Sequence, residues 1–228
     1  MSSITVYRGT PGGKVQEGTI AWPGPPKAHQ VTIRITHSGL CGTDEHYKSQ
    51  DMVLGHEGVG IVEAIGDSVK TLKVGDRVGW GYCHGSCLSC ESLKKRQHES
   101  WERQTSKSWV AILSLVAPLT VLLLAGAQQP DWSTVLSLVR RGGVISAMTV
   151  DSPELRCPYG EILMNAIRIQ GSLPAAPNVQ REMLDFSALH KIKPIIETFS
   201  FNEDGINEAM AKLRQGKMRY RGVLAMET

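Results

Sequence analysis

Cysteine is scarce, and its number is odd. Five in 228 residues exclude a disulfide-stapled scaffold, which a chain of this length does not need. Neither sign of charge dominates: 25 Lys and Arg stand against 22 Asp and Glu, a formal +3, so the clustered basic excess of a nucleic-acid binder is missing. The tight basic run Lys94-Lys95-Arg96 reads as a solvated loop. Residues Met1 to Arg8 contain no apolar stretch and no small-residue cleavage site, so a secretory leader is not expected and the protein is expected to be cytoplasmic. Internal repeats and low-complexity segments are also missing. With 41% hydrophobic and 21% charged residues, the chain has material for one large or two small ordinary cores.

One long uncharged run, Trp109 to Ala127, is interrupted by Ser114, Thr120 and Gly126 and carries Pro118 at its middle. Its length would span a bilayer. The turn Gln128-Gln129-Pro130-Asp131 that follows favours a soluble reading instead. In that reading a short segment ends near Pro118, and Val121 to Ala127 form a fully buried strand of a parallel sheet. No membrane partner is expected.

The first hundred residues alternate as β structure. Val31 to Thr36, Gly58 to Gly66 and Val78 to Tyr82 read as strands, separated by Gly-Pro punctuation at Trp22 to Pro26 and a turn at Gly75-Asp76. Beyond about residue 108, strand and helix alternate. Trp132, Val135, Leu136 and Val139 lie at helical spacing before Gly142-Gly143 and a strand Val144 to Met148. Ile167 to Gln170 is a strand, Met183 to His190 a helix, and Ile195 to Phe199 extended; Ile206, Ala209, Met210 and Leu213 share a helical face, and Tyr220 to Met226 closes as a strand. The alternation implies a parallel sheet covered by helices and a mixed α/β fold.

Chemistry concentrates in Cys41-Gly42-Thr43-Asp44-Glu45-His46 and Gly55-His56-Glu57-Gly58. Thiolate, imidazole and carboxylate are the usual zinc ligand types, and a catalytic zinc takes three protein ligands with one open position. Cys41, His56 and Glu57 can supply them. Asp44 can accept a hydrogen bond from the second ring nitrogen of His56, and Thr43 with His46 can pass a proton to solvent.

Gly39-Leu40-Cys41-Gly42-Thr43-Asp44 and Gly55-His56-Glu57-Gly58-Val59-Gly60 resemble the catalytic-zinc signature of the zinc-dependent alcohol dehydrogenases, in the medium-chain dehydrogenase/reductase superfamily. The resemblance continues through Val74-Gly75-Asp76-Arg77-Val78, then Ile167 to Ser172, Lys193-Pro194-Ile195, Ile206 to Met210 and Tyr220 to Leu224. It implies a GroES-like β domain holding zinc, a Rossmann domain holding NAD or NADP, and a final segment returning to the first domain. The expected boundaries are 1–108, 109–200 and 201–228. The implied activity is interconversion of a small-molecule alcohol and aldehyde, with zinc polarising the oxygen while hydride moves to or from nicotinamide. Arg221 matches a position that contacts cofactor phosphate, and Gly126 lies where open α/β sheets bind ligands. Homodimers in this family often pair through Rossmann edge strands, and the strand Val144 to Met148 matches one.

Several departures accompany the match. No Gly-x-Gly-x-x-Gly turn occurs anywhere in the chain, although this is the turn that lets a backbone approach pyrophosphate. Family-like Rossmann residues begin only near Leu122, which implies a shortened member without the first mononucleotide-binding half. No cysteine follows Pro118, where family members carry a further zinc ligand. Of the four cysteines of the family's structural zinc lobe only Cys87 and Cys90 have counterparts; Leu93 and Trp101 take the other places. Cys83 and His98 can complete a set with Cys87 and Cys90, or the lobe is a metal-free loop. The alternative to a nicotinamide oxidoreductase is therefore a shortened relative without nicotinamide binding, acting as a cofactor-independent metal or acid/base catalyst or as a noncatalytic protein.

Overall fold

A computed structural model describes residues 3–81, 118–125, 130–148, 154–171, 175 and 177–226. They fall into two compact units, one of residues 1–86 and 193–228, the other of residues 87–192.

The first unit is built on a five-stranded sheet. Strands β3 (Val31–Leu40), β4 (Gly58–Ile65) and β5 (Arg77–Trp80) pair antiparallel in sequence, with the segment 41–57 between the first two. On its other edge β3 pairs antiparallel with β10 (Arg221–Ala225), which in turn pairs in parallel with β9 (Ile196–Ser200), giving the order β5-β4-β3-β10-β9. A separate hairpin joins β1 (Ser3–Gly9) to β2 (Val15–Ala21). The last helix, here α5 (Glu203–Arg214), closes the core: Ile206, Ala209 and Met210 pack with Val15, Leu40, Phe199 and Leu224. Its face follows the sequence spacing of those residues, and Asn202 caps it by accepting from the Gly205 N–H at 2.8 Å. Asn207, on the same helix, exchanges two hydrogen bonds with the Val15 backbone and ties α5 to β2. Lys212 hydrogen-bonds Glu197 on β9, and that bond holds the Glu197 carboxyl below the usual carboxylate range.

Short helix α1 (Gly42–Tyr47) follows β3 directly. The second unit holds β6 (Leu119–Leu124), α2 (Trp132–Ser137), β7 (Val139–Ala147), α3 (Tyr159–Met164), β8 (Arg168–Gly171) and α4 (Pro177–Leu189). Its three strands form a parallel sheet in the order β6-β7-β8. Leu122, Trp132, Leu136, Val139, Ile145 and Ile167 make its core. The mixed α/β class, with a β-rich N-terminal part and a parallel sheet, is as the residue patterns imply.

Four details differ from the sequence reading. First, β9, which precedes the expected boundary at 200/201, pairs with β10 and so belongs to the first sheet. Second, the strand expected at Val121 to Ala127 is β6, and it is not fully buried: Leu122 faces the core while Val121 is 47% and Leu123 54% exposed. Among the described residues β6 is a sheet edge with one covered face, so its uniform apolar composition does not translate into burial. Third, the helix ends at Ser137 and β7 starts at Val139; the β6 register jumps from Leu119↔Val139 to Val121↔Val144, and Arg140 to Gly143 form the irregular stretch between. Fourth, Val144 to Ala147 lie in the central strand, bonded on both sides. Among the described residues no helix is long and apolar enough to cross a membrane.

Gly205 tests how tightly the C-terminal helix seats. A Cβ there would lie 3.0 Å from both the backbone N and C of Ser200, a contact that only movement of the helix relieves. Helix propensity alone favours alanine over glycine by about 1 kcal/mol, whereas overpacking costs about 1–3 kcal/mol. We expect Gly205→Ala to lower stability in chemical denaturation; a gain would show that α5 is loosely seated.

Candidate metal centre

Cys41 has extended backbone (φ −136°, ψ −176°) and is the N-cap of α1. Its sulfur accepts the Thr43 N–H at 3.3 Å, and its own N–H donates to Asp44 Oδ2 at 3.0 Å, forming a reciprocal capping box. A cysteine here is unusual, since serine, threonine, aspartate and asparagine are the preferred caps. Asp44 is buried. Its other oxygen, Oδ1, lies 3.4 Å from His56 Nδ1, so one carboxylate both fixes the helix start and faces the imidazole.

His56 and Glu57 follow Gly55, whose φ of +100° belongs to the region glycine favours, and β4 begins immediately after them. The Glu57 carbonyl accepts from the Gly39 N–H at 2.8 Å and from Ser38 Oγ at 3.1 Å. These bonds hold the dipeptide against the end of β3. His56 Nε2 then lies 3.3 Å from Cys41 Sγ and 3.6 Å from Glu57 Oε1.

Those separations fit a metal. Ligand bonds of about 2.0–2.3 Å at tetrahedral angles put neighbouring donor atoms roughly 3.4–3.6 Å apart. All three ligand atoms of Cys41, His56 and Glu57 lie within 4.8 Å of one another. The donor set is one soft sulfur, one imidazole nitrogen and one hard oxygen, each acceptable to zinc. The His56 nitrogen turned away from the cluster faces Asp44, the partner that orients ligating histidines elsewhere.

Glu57 has a second engagement that sequence reasoning missed. Its Oε2 is ion-paired with Arg221 Nη2. Arg221 opens β10, and Gly222 and Val223 pair with Leu40 and Gly39. A Cβ on Gly39 would lie 2.6 Å from Glu57 Oε2 and 2.8 Å from Arg221 Nη2, so the ion pair lies over the space this glycine leaves open. The glycines flanking the motif were the available signal, but nothing local in sequence joins residues 57 and 221. Arg221 thus sits beside the metal cluster, where the resemblance assigned it to cofactor phosphate.

Glu45, also missed, accepts from Lys48 and from Arg214 Nη1, the latter at 3.2 Å. It ties α1 to α5, and its Oε2 is buried without a hydrogen-bond partner. Thr43 and His46 are three residues apart on α1, Thr43 partly buried and His46 exposed. Among the described residues their side chains share no hydrogen bond. Cys83, Cys87, Cys90 and Gly126 lie outside the described residues. Cys157 packs on the core of the second unit, away from any described donor cluster.

Comparison with known proteins agrees with this geometry. Residues 27–115 match the alcohol dehydrogenase GroES-like domain. An alcohol dehydrogenase of Geobacillus stearothermophilus is 21% identical over 313 aligned positions, covering 87% of this chain and 92% of that protein. Those positions outnumber the chain's 228 residues, so the relative carries internal residues this chain lacks. An S-(hydroxymethyl)glutathione dehydrogenase of Aspergillus oryzae is 40% identical over 101 residues, which are 35% of this chain and 26% of that protein. A cinnamyl alcohol dehydrogenase of Sorghum bicolor superposes with a TM-score of 0.80 at 18% identity, covering 98% of this chain and 97% of that one. The cysteine-capped α1 and the His56-Glu57 turn both fall within the stretch that resembles the alcohol dehydrogenase GroES-like domain, and the fold is similar to that of the alcohol dehydrogenases on which the chain superposes.

Proposed function

We propose that this chain is a zinc-dependent oxidoreductase-type protein acting on a small-molecule alcohol or aldehyde, with Cys41, His56 and Glu57 holding the metal. The observation that carries the reading is the meeting of three different donor types at 3.3 and 3.6 Å, with a buried carboxylate behind the histidine. Bound zinc would supply Lewis acidity toward an alcohol or carbonyl oxygen.

The chain's own residues then have defined tasks. Asp44 holds the Cys41 N–H and faces His56 Nδ1, so it fixes both ligands at once and sets which imidazole nitrogen is free to coordinate. Thr43 lies on the first turn of α1, one residue beyond the turn of chain that bears the Cys41 sulfur, and His46 lies one turn on, in solvent. Thr43 would take the substrate hydroxyl proton into a hydroxyl-to-imidazole chain, and His46 would release it.

The nicotinamide part of the family's chemistry does not fit the residues present. No Gly-x-Gly-x-x-Gly turn exists, the described parallel sheet has three strands, and Arg221 is paired with Glu57. No residue is therefore assigned to NAD or NADP. This mismatch favours a second reading, in which the same centre works without nicotinamide as a metal-dependent acid/base catalyst or as a binding protein.

Fluorescence titration with NADPH and NADH, paired with assays of aldehyde reduction, separates the two. Saturable binding with turnover supports the oxidoreductase; zinc bound near one per chain without binding of either nucleotide supports the second reading. Asp44→Asn should weaken zinc about 10- to 100-fold, read by competition with a chromophoric chelator; unchanged affinity removes Asp44 from the centre. His46→Ala should keep full zinc content and lower turnover about 10- to 100-fold near neutral pH, within the usual contribution of a proton-transfer group; unaltered turnover would end the relay.

A further inference from the structure

We infer that Arg221 is a positioning residue of the metal centre, orienting Glu57 so that its Oε1 serves as the third metal ligand. The inference rests on the zinc reading above and concerns how this chain completes the ligand set without the further cysteine. Among the described residues the donor cluster contains three side chains and no fourth. Cys41 and His56 are fixed by Asp44, but nothing of that kind acts on the Glu57 side chain.

Arg221 fills the gap. The two oxygens of Glu57 are divided between neighbours: Oε1 is 3.6 Å from His56 Nε2, and Oε2 is paired with Arg221 Nη2. A carboxylate on a flexible side chain coordinates well only when its second oxygen is held, which is why ligating carboxylates are themselves hydrogen-bonded. A planar guanidinium is the side chain best shaped for that grip. Its base is anchored, because Gly222, the next residue, pairs with Leu40, the residue before Cys41. The empty Cβ position of Gly39 gives the pair its room. One strand pairing thus delivers the Cys41 end of β3 and the guanidinium that aims Glu57 to the same place. Glu57 and Arg221 are about two-thirds buried, at 35% and 39% side-chain exposure, so the pair is partly shielded from the screening that weakens surface pairs.

Two roles for Arg221 predict opposite signs. If it acted only as a nearby positive charge, removing it would tighten binding of a dication. If it positions Glu57, removing it weakens binding. We expect Arg221→Gln to weaken zinc about 10-fold or more, in chelator competition at fixed ionic strength. Arg221→Lys should recover only part of this, since it keeps the charge but loses the fork. Gly39→Ala, whose methyl would crowd Glu57 Oε2 and Arg221 Nη2 together, should weaken zinc in the same direction. In a Glu57→Gln background Arg221→Gln should cause no further weakening, the coupling that a double-mutant cycle isolates. Cobalt(II) spectra of wild type and Arg221→Gln should differ in the ligand-field bands while both keep the sulfur charge-transfer band of Cys41.

Outcomes separate the two layers of argument. If wild-type protein binds neither zinc nor cobalt, the zinc reading fails and this inference with it. If wild type binds and Arg221→Gln binds equally or more tightly, the positioning role alone is overturned. If Glu57→Gln binds as well as wild type, Glu57 is not a ligand and Arg221 has nothing to position, while Cys41 and His56 stand.

Discussion

The first unit depends on the antiparallel pairing of β3 with β10. It joins residues 37–40 to residues 222–225 across nearly the whole chain. Closing a loop of that length costs roughly 4–5 kcal/mol of chain entropy beyond a constant term. Hydrogen bonds of the ladder, at about 1 kcal/mol each net, offset little more than that. The surplus comes from what the pairing brings together: Leu40 from β3, Leu224 from β10, Phe199 from β9 and the buried face of α5, each worth about 1.5–3 kcal/mol when fully buried. The chemistry is placed by the same event, because Cys41 follows Leu40 and Arg221 precedes Gly222. Stability and site geometry share one contact.

What could be read from the sequence was whatever depends on neighbours along the chain. The period of Ile206, Ala209 and Met210 gave the α5 face, alternation gave β3 and β5, bounding glycines gave β4, and the short spacings around Cys41 and His56 gave the donor types. Sequence reading also paired Asp44 with His56, because a carboxylate commonly accepts the second ring nitrogen of a ligating histidine. What was not legible depends on partners far away. The assignment of Ile196 to Ser200 to the first sheet rests on parallel pairing with β10, and a five-residue strand pattern cannot declare its sheet. The grip of Arg221 on Glu57 spans 164 residues of chain and leaves only a glycine at position 39 as a local trace.

The second unit shows the opposite relation between composition and environment. Leu119 to Leu124 is as apolar as a strand buried on both faces, yet Val121 and Leu123 are about half exposed. Helix α4 has no buried residue, and Met183, Leu184, Phe186 and Leu189 are all exposed. These residue choices suit a larger sheet flanked by more strands.

The proposed metal centre has one cysteine among its donors. A set of two thiolates and one imidazole carries a formal charge of −2, and so does a set of one thiolate, one imidazole and one carboxylate. Replacing sulfur by Glu57 oxygen therefore conserves the neutralisation of a divalent ion while making the site harder and its ligand more mobile. Charge conservation alone would not restore affinity, because a carboxylate on a longer side chain loses more rotamer freedom on binding than a thiolate does. In the proposed centre Arg221 would offset that cost in advance by restricting Glu57 before any metal arrives, at the expense of withdrawing some electron density from the ligand oxygen. A centre so arranged gives up part of the electron donation of a second thiolate and leaves the metal a somewhat stronger Lewis acid. That property serves polarisation of a bound oxygen whether or not a hydride partner is present, which is why the geometry of this site is intelligible even though the family's phosphate cradle is missing.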